Sequence, residues 1–355
     1  MTINQNSDFL FGFQATLTNP NGDPDQENKP RMDYETNTLL VSDARRKRDI
    51  RDFLKKKGQQ IFVDTIADTK VTMDTMFQYI KDSYLEDEKK IKALFSKNEV
   101  LQEKWKHFFG ETDDYKNTYL EKEKVSKSRK EEKDAIKQFN NLFITEIIKD
   151  ALIDIRLFGS AMAVDGISKT FTGPVQLTWG YSLHPVELLK SNTIVTIMND
   201  DSSTFGKKPK VYYSLVAHYG TINKYSGKQT GMTLKDRDIF RKSLVQGMMT
   251  NQTDSKQGQE PVFYLEIVYK PQFDGYLGDL RRFIETTWKK NKSIRSLEDV
   301  TVDFSPLTKT IEEIKDKGYI EKVIGWIHPY IPESRLLNFP EYEEVDLWAP
   351  IDMEE

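Results

Sequence analysis

The chain has 355 residues, with 52 lysines and arginines against 56 aspartates and glutamates, four histidines, no cysteine and a net charge of −4 at pH 7. That length suits one large domain or one domain with insertions, and the lack of cysteine excludes disulfides and thiolate zinc sites. No apolar run approaches the ~20 residues that span a bilayer, and the N-terminus lacks a charged segment followed by an apolar one, so a soluble, cytoplasmic protein is expected.

Residues 9–18 (FLFGFQATLT) predict an aromatic-rich strand. The loop that follows opens with Asn-Pro-Asn-Gly-Asp-Pro at 19–24, residues that fix or permit unusual backbone angles, and Arg31 adds a cation further on. A helix then starts at Ser42, a good N-cap, and stops at Gly58, a natural C-terminal residue. Ile50, Phe53 and Leu54 form its narrow apolar stripe. Lys47, Arg51 and Lys55 make one row at i, i+4, i+8, with Arg45 and Arg48 on adjacent faces. Residues 45–57 carry eight basic and two acidic side chains, a net +6. The bland reading is a solvated helix face. Four consecutive cations at the positive end of the helix dipole argue instead for an anionic partner, and a phosphate backbone is the usual one.

Residues 81–137 hold 15 basic and 14 acidic residues punctuated by Trp105, Phe108, Phe109, Tyr115 and Tyr119, which predicts a helical insertion with solvated faces. Residues 140–153 form an amphipathic helix, and 156–164 and 170–179 read as buried and strand-like. Two strands, 192–198 and 211–218, joined by the polar stretch 199–210, predict a protruding hairpin with Lys207 and Lys208 at its tip. A helix over 233–249 starts at Thr233 and turns Leu234, Ile239, Phe240, Leu244 and Met248 inward. Residues 261–269 are a strong strand, and 280–288 and 307–317 predict helices. Seven acidic residues close the chain from Glu341 on and read as a solvated tail.

Three stretches beyond the opening carry a resemblance. Residues 19–33 (NPNGDPDQENKPRMD) and 41–54 (VSDARRKRDIRDFL), then 154–159 (DIRLFG), 172–176 (TGPVQ) with Ser182-Leu-His at 182–184, and 255–261 (SKQGQEP) occur in one order along the chain. Together they resemble the backbone subunit of the CRISPR-associated complex Cascade, the seventh Cas protein family, and within it the type I-B (Csh-two-like) form. The resemblance implies an α+β fold: an RNA-recognition-motif-like (ferredoxin-like) palm from residues 1–60 and 150–355, a helical fingers insertion at 61–149 and a β-hairpin thumb at about 188–210. It implies a non-enzymatic subunit without cofactor or metal. Copies would stack along one CRISPR RNA, alongside other Cascade subunits, leaving guide bases free to pair with target DNA. By this resemblance Ser42, Lys47, Arg48 and Arg51 would contact the guide, with Asn21 and Arg31 in the preceding loop; Arg45, and Lys207 and Lys208 on the hairpin, are added to the RNA-binding set from their charge and place, not from the resemblance.

Two other classes stay open. Asp23, Asp25 and Asp33, with Asp8 and Asp43 near in sequence, offer carboxylates for a metal-dependent ribonuclease, although acids in such loops usually form turns and caps. A single-strand RNA chaperone that never assembles is the third. The histidines have no metal-ligand spacing, and neither a phosphate-binding glycine loop nor a nucleophile elbow occurs.

Overall fold

A computed structural model describes residues 1–62, 73–126, 130–164, 167–190, 193–199 and 202–353. The chain is α+β and divides into two compact units. The first comprises Met1–Gly58, Pro174–Lys228 and Met232–Glu355, the second Gln59–Gly173 and Gln229–Gly231.

The main elements of the first unit are β1 (Ser7–Thr18), β2 (Thr38–Val41), α1 (Asp43–Lys56), β3 (Gly180–Ser182), β4 (Val211–Ile222), α2 (Leu234–Thr250), β5 (Gln259–Tyr269), β6 (Glu285–Trp288), β7 (Val300–Asp303), α3 (Ser305–Asp316) and β8 (Ile320–Ile327). The principal sheet runs β8-β5-β1-β4-β3-β2. β1 lies at its centre, antiparallel to both β4 and β5. Its residues are apolar on both sides because both faces of the sheet are covered. Phe9, Phe11 and Phe13 are fully buried on one face. There Phe240 of α2 meets Phe9 at 5.4 Å, and the Arg46 guanidinium of α1 lies 4.9 Å over Phe13. Leu10 points the other way, into a cluster with Leu215, Phe263, Leu265, Val302 and Leu307. Each such phenylalanine or leucine contributes about 1.5–3 kcal/mol by leaving water.

Both covering helices start as their residues dictate. The Ser42 hydroxyl accepts the Arg45 N–H at 3.3 Å, and Gly58 ends α1 in a left-handed conformation at φ +82°. Thr233 caps α2 in a reciprocal box with Asp236. The two helices pack closely at Gly247, where an added Cβ would lie 3.0 Å from the Asp49 carbonyl oxygen. The α2–sheet contact is ionic as well as apolar. Glu266 of β5 is fully buried and accepts from Arg237 and Arg241 at 2.6 Å each, and from the Tyr264 hydroxyl at 2.9 Å. Burial alone would raise this carboxyl, but the two guanidiniums outweigh it and hold it below the ordinary carboxylate range.

Several expectations are corrected. Strand 193–199 does not pair with 211–218. The hairpin closes earlier, Thr193–Asn199 against Ser202–Lys207, and β4 is committed to β1 over its length. Eight consecutive buried residues in β4 make it a central strand, which an exposed hairpin arm never is. Lys207 therefore pairs with Thr193 at the base of the hairpin rather than at its tip. Residues 280–288 are not a helix: Leu280–Phe283 is a 3₁₀ turn and β6 follows, pairing with β7. The Thr-Thr-Trp run in β6 is β-branched and aromatic, which favours the pleat. Leu234 does not turn inward but is half exposed at the first position of α2. The acidic tail is not merely solvated. Glu343–Glu344 adds a short parallel strand to β8, and Leu347 is buried, its carbonyl accepting from Gln246 of α2 at 2.7 Å.

The second unit has its own core. Five helices, Met73–Glu86, Glu88–Lys97, Glu99–Phe109, Tyr115–Ser126 and Lys130–Ala151, surround Trp105, Tyr119, Phe139 and Phe143. Trp105 stacks on Phe109 at 4.4 Å, and the buried Lys81 places its ammonium 5.2 Å over the Tyr119 ring. Asp87 and Asn98 cap the second and third of these helices. The unit runs through Gly173 and includes Gln229–Gly231. Residues 156–158, expected to be strand-like, complete the helix Ile153–Phe158, and the strand Gly159–Val164 follows, paired with Ile167–Thr172.

Candidate nucleic-acid interface

The loop between β1 and α1 is a bracket for the helix. Asn19 donates through its side chain to the Asn28 carbonyl at 2.7 Å, and Gly22 passes so close to Asn28 that a Cβ would lie 1.8 Å from its side-chain oxygen. Asn21 accepts the Ser42 N–H at 2.7 Å, and its own carbonyl accepts the Arg31 N–H at 3.0 Å. Arg31 pairs with Asp23 at 3.2 Å and lies 5.9 Å over the half-exposed Trp179 ring. Asn21, Arg31 and Ser42 are thus one locked unit at the start of α1.

A third segment joins them. The loop 253–258 crosses the end of β1, with the Ser255 carbonyl accepting the Asn19 N–H at 2.9 Å and the Gly258 carbonyl accepting the Thr16 N–H at 2.8 Å. Gly258 sits at φ +102°, with the Thr16 carbonyl 2.4 Å from where a Cβ would stand. This brings Lys256 to Arg45. Burial first, then the charge of Arg45, push the Lys256 ammonium below its ordinary value. Next to it Lys208 pairs with Asp254 at 2.8 Å and holds that carboxyl down. Lys256 therefore lies beside Arg45, Asp49 and Asp52, and the same loop holds Lys208 through Asp254. The side chain of Lys207 lies outside the described residues. Lys256 was missed in the sequence because its neighbourhood is made by a loop more than 200 residues from α1.

On α1 itself the +6 count needs qualification. Arg45 pairs with Asp49, Lys47 with Asp43 at 3.0 Å, and Arg48 with Asp52, all at i, i+4. This signal was legible in the sequence. Arg46 is buried, pairs with Asp49 at 3.0 Å and stacks on Phe13, so it serves the core. Burial lowers its guanidinium to about 10. Arg48 is half exposed and Arg51 partly so. Exposed pairs of this kind contribute at most about 1 kcal/mol, so a phosphate can take the carboxylate's place at little cost.

The loop carboxylates are engaged separately. Asp23 caps a 3₁₀ turn by accepting the Asp25 N–H, and Asp33 accepts from Glu35 N–H and the Thr36 hydroxyl, bonds that lower it. Asp8 faces away from α1, where burial raises it and Tyr219, Tyr269 and the Leu277 N–H donate to it. Among the described residues no group of three or more His, Asp or Glu is arranged to hold a metal ion, and no helix is long and apolar enough to cross a membrane.

The family model for CRISPR-associated protein Cas7 matches residues 5–305, most of the chain. The chain belongs to the Cas7 family. A curated relative, CRISPR-associated protein Cas7 of Haloferax volcanii, is 26% identical over 349 residues, covering 92% of this chain and 88% of its own. In fold the chain is similar to a subunit of a solved structure titled "CRISPR RNA-guided surveillance complex, pre-nicking", with a TM-score of 0.50 at 13% identity over 95% of this chain and 96% of that one. The segments through which this Cas7 chain shows its resemblance are largely structural. Asp154 accepts the Phe62 N–H at 2.9 Å, and Arg156 donates to the last carbonyls of Lys130–Ala151. Ser182 accepts the Leu39 N–H at 3.0 Å, and His184 accepts that of Leu215 at 3.0 Å. Burial lowers the His184 imidazole, so it stays neutral in this role.

Proposed function

We propose that this Cas7 chain is the backbone subunit of a type I CRISPR surveillance complex, of the I-B form, that grips CRISPR RNA by its phosphates. The observation that carries the reading is the locked bracket Asn21–Arg31–Ser42, which presents the cations of α1 beside Lys256 and Lys208. Phosphate contacts position a strand without reading it, so the guide bases stay free to pair with target DNA. Arg48 and Arg51 supply the exchangeable cations, with Lys47, Arg45 and Arg31 next to them, and Ser42 and Asn21 keep the helix end in place.

An RNA-recognition-motif-like palm is supported by the order β5-β1-β4-β3 with α1 after β1 and α2 after β4, the order of that fold. Its aromatics fill the core, so RNA binds at the helix end and loops rather than on an open sheet. The second compact unit corresponds to the fingers and the hairpin 193–207 to the thumb. Head-to-tail contacts between copies generate an open filament along the guide, joined by other Cascade subunits in the cytoplasm. The turn and cap roles of Asp23 and Asp33 favour a binding subunit over a ribonuclease.

The test is RNA binding by the full chain as a function of salt. Each neutralised phosphate contributes about 0.7 to the log–log slope on single strands. Arg48→Glu with Arg51→Glu is expected to abolish binding and leave folding unchanged. Affinity independent of salt, or particle mass by light scattering that stays at one subunit for every RNA length, would refute the reading.

A further inference from the structure

The loop from β6 to β7 carries a feature unrelated to α1. Residues 288–295 read Trp-Lys-Lys-Asn-Lys-Ser-Ile-Arg, four cations with no acid. The loop is anchored, not loose. Ile294 and Leu297 are buried in the cluster on the sheet face opposite α1. Asp299 accepts the Arg295 N–H at 2.9 Å, the Ser296 N–H at 3.2 Å and the Lys292 ammonium at 2.5 Å. Arg295 pairs with Glu187 at 2.6 Å and lies 4.1 Å over the Tyr212 ring. Two cations thus hold the loop. The other two, Lys289 and Lys290, are exposed, and among the described residues neither side chain has an ion-pair partner.

These lysines follow Trp288, which is partly buried against that cluster and lines two concavities. One, of about 480 Å³, is lined by Trp288, Tyr34, Lys190, Lys290 and Lys292, and by Glu187, whose charge is taken up by Arg295. The other, of about 310 Å³, is lined by Trp288, Lys289, Lys292, Arg335, Glu298 and Asp299; Lys292 and Arg335 are paired with the two carboxylates, which leaves Lys289 as its unpaired cation among the described residues. Tyr34 is half exposed. Volumes of this order hold a nucleotide-sized group. An aromatic ring between lysines is the arrangement that binds single strands, the ring stacking a base of any identity and the ammonium groups following the phosphates.

We infer that Trp288, Tyr34, Lys190, Lys289 and Lys290 form a second single-strand nucleic-acid groove, separate from the helix α1 interface. A base stacks on Trp288, and the flanking phosphates lie against Lys289 and Lys290. Anchored by Asp299 and Ile294, the groove is preorganised and loses little loop entropy on binding. The strand in it is either a second part of an RNA guide or a DNA strand brought to the complex; both present the same phosphates and bases. This inference shares only its ligand class with the function proposed above.

The test uses the full chain loaded with unlabelled guide RNA, then titrated with fluorescein-labelled U12 RNA or dT12 DNA, neither complementary to the guide. Lys289→Glu with Lys290→Glu is expected to weaken binding of the short probe tenfold or more and to lower its salt slope by about 1.4, two phosphates at about 0.7 each. Trp288→Ala is expected to weaken it about fivefold and Trp288→Phe far less, since phenylalanine still stacks. Preference for U12 assigns the groove to the guide, preference for dT12 to the DNA strand. Arg48→Glu with Arg51→Glu should abolish guide loading, whereas the lysine variant should load guide as the wild type does, so failure of either reading is seen separately. Thermal unfolding of each variant confirms folding. Probe affinity unchanged in both the lysine and the Trp288→Ala variants would overturn the inference. So would a loss of guide loading in the lysine variant equal to that from α1, or unchanged probe binding with lost self-association, which would assign the loop to a protein neighbour.

Discussion

Helices α1 and α2 lie against the same face of one sheet and pack on each other at Gly247, yet they use arginine in opposite ways. On α2, Arg237 and Arg241 turn into the sheet and meet Glu266 in a fully buried network. On α1 Arg46 turns inward and Arg45 is largely covered beside the buried Asp49, while Arg48 stays at the surface beside Asp52 one turn away. The difference teaches that a helix's arginine count says little about its task. A buried guanidinium must keep a fixed partner, because an uncompensated charge costs several kcal/mol there. A surface guanidinium can exchange its partner for a phosphate, because its pair contributes almost nothing.

Breaking the α2 network should have the largest effect. Glu266→Gln leaves two buried guanidiniums without a counter-charge and is expected to cost about 3–5 kcal/mol in chemical denaturation. The folded fraction should bind RNA as before. Retained stability would mean that water reaches the network and that the contrast with α1 is one of degree. The network also sets an acid limit. Its carboxyl is depressed in the folded state, so its stabilisation is present above the unfolded value of about 4.3 and is lost as pH falls below it.

Reversal of Arg48 and Arg51 should do the opposite. RNA affinity should fall at least tenfold in fluorescence titration, with the unfolding midpoint close to that of the wild type. A large loss of stability instead would make these residues structural, like those of α2.

The next effect is a pH dependence. His218 is fully buried beside Phe13, and burial together with Arg46 lowers it to about 3. Its unfolded value is about 6.5, so below that pH the unfolded chain binds a proton the folded one refuses. Stability is then complete above about pH 6.5 and falls by about 1.4 kcal/mol per unit as pH drops toward 3. Replacing His218 with Gln should flatten denaturant midpoints between pH 6.5 and 5; an unchanged slope would assign that loss elsewhere.

The two caps give the smallest contrast. Ser42→Ala and Thr233→Ala should each cost about 1 kcal/mol, since each leaves a first-turn N–H unpaired. Only Ser42→Ala should also weaken RNA, because only α1 begins at the bracket. Equal RNA affinity in the two variants would remove the Ser42 hydroxyl from the interface.

Much of this molecule is determined by local sequence. The span of β1, the caps at Ser42 and Thr233, the stop at Gly58 and the helices between 81 and 126 follow from side-chain spacing and backbone preference, which act within a few residues. The three ion pairs on α1 are local too, since i, i+4 spacing fixes them. What the tertiary structure decided lies across long separations. Whether 211–218 is a hairpin arm or a central strand depends on β1, nearly 200 residues away, because a mostly apolar and aromatic run suits either. That 285–288 is a strand depends on the pairing of β6 with β7. Arg46 became a core residue through Phe13 and Gln259, and Lys256 reached Arg45 only because the loop 253–258 crosses the end of β1. Charge environments are set by what folds against a group, and a linear sequence records the group without its neighbours.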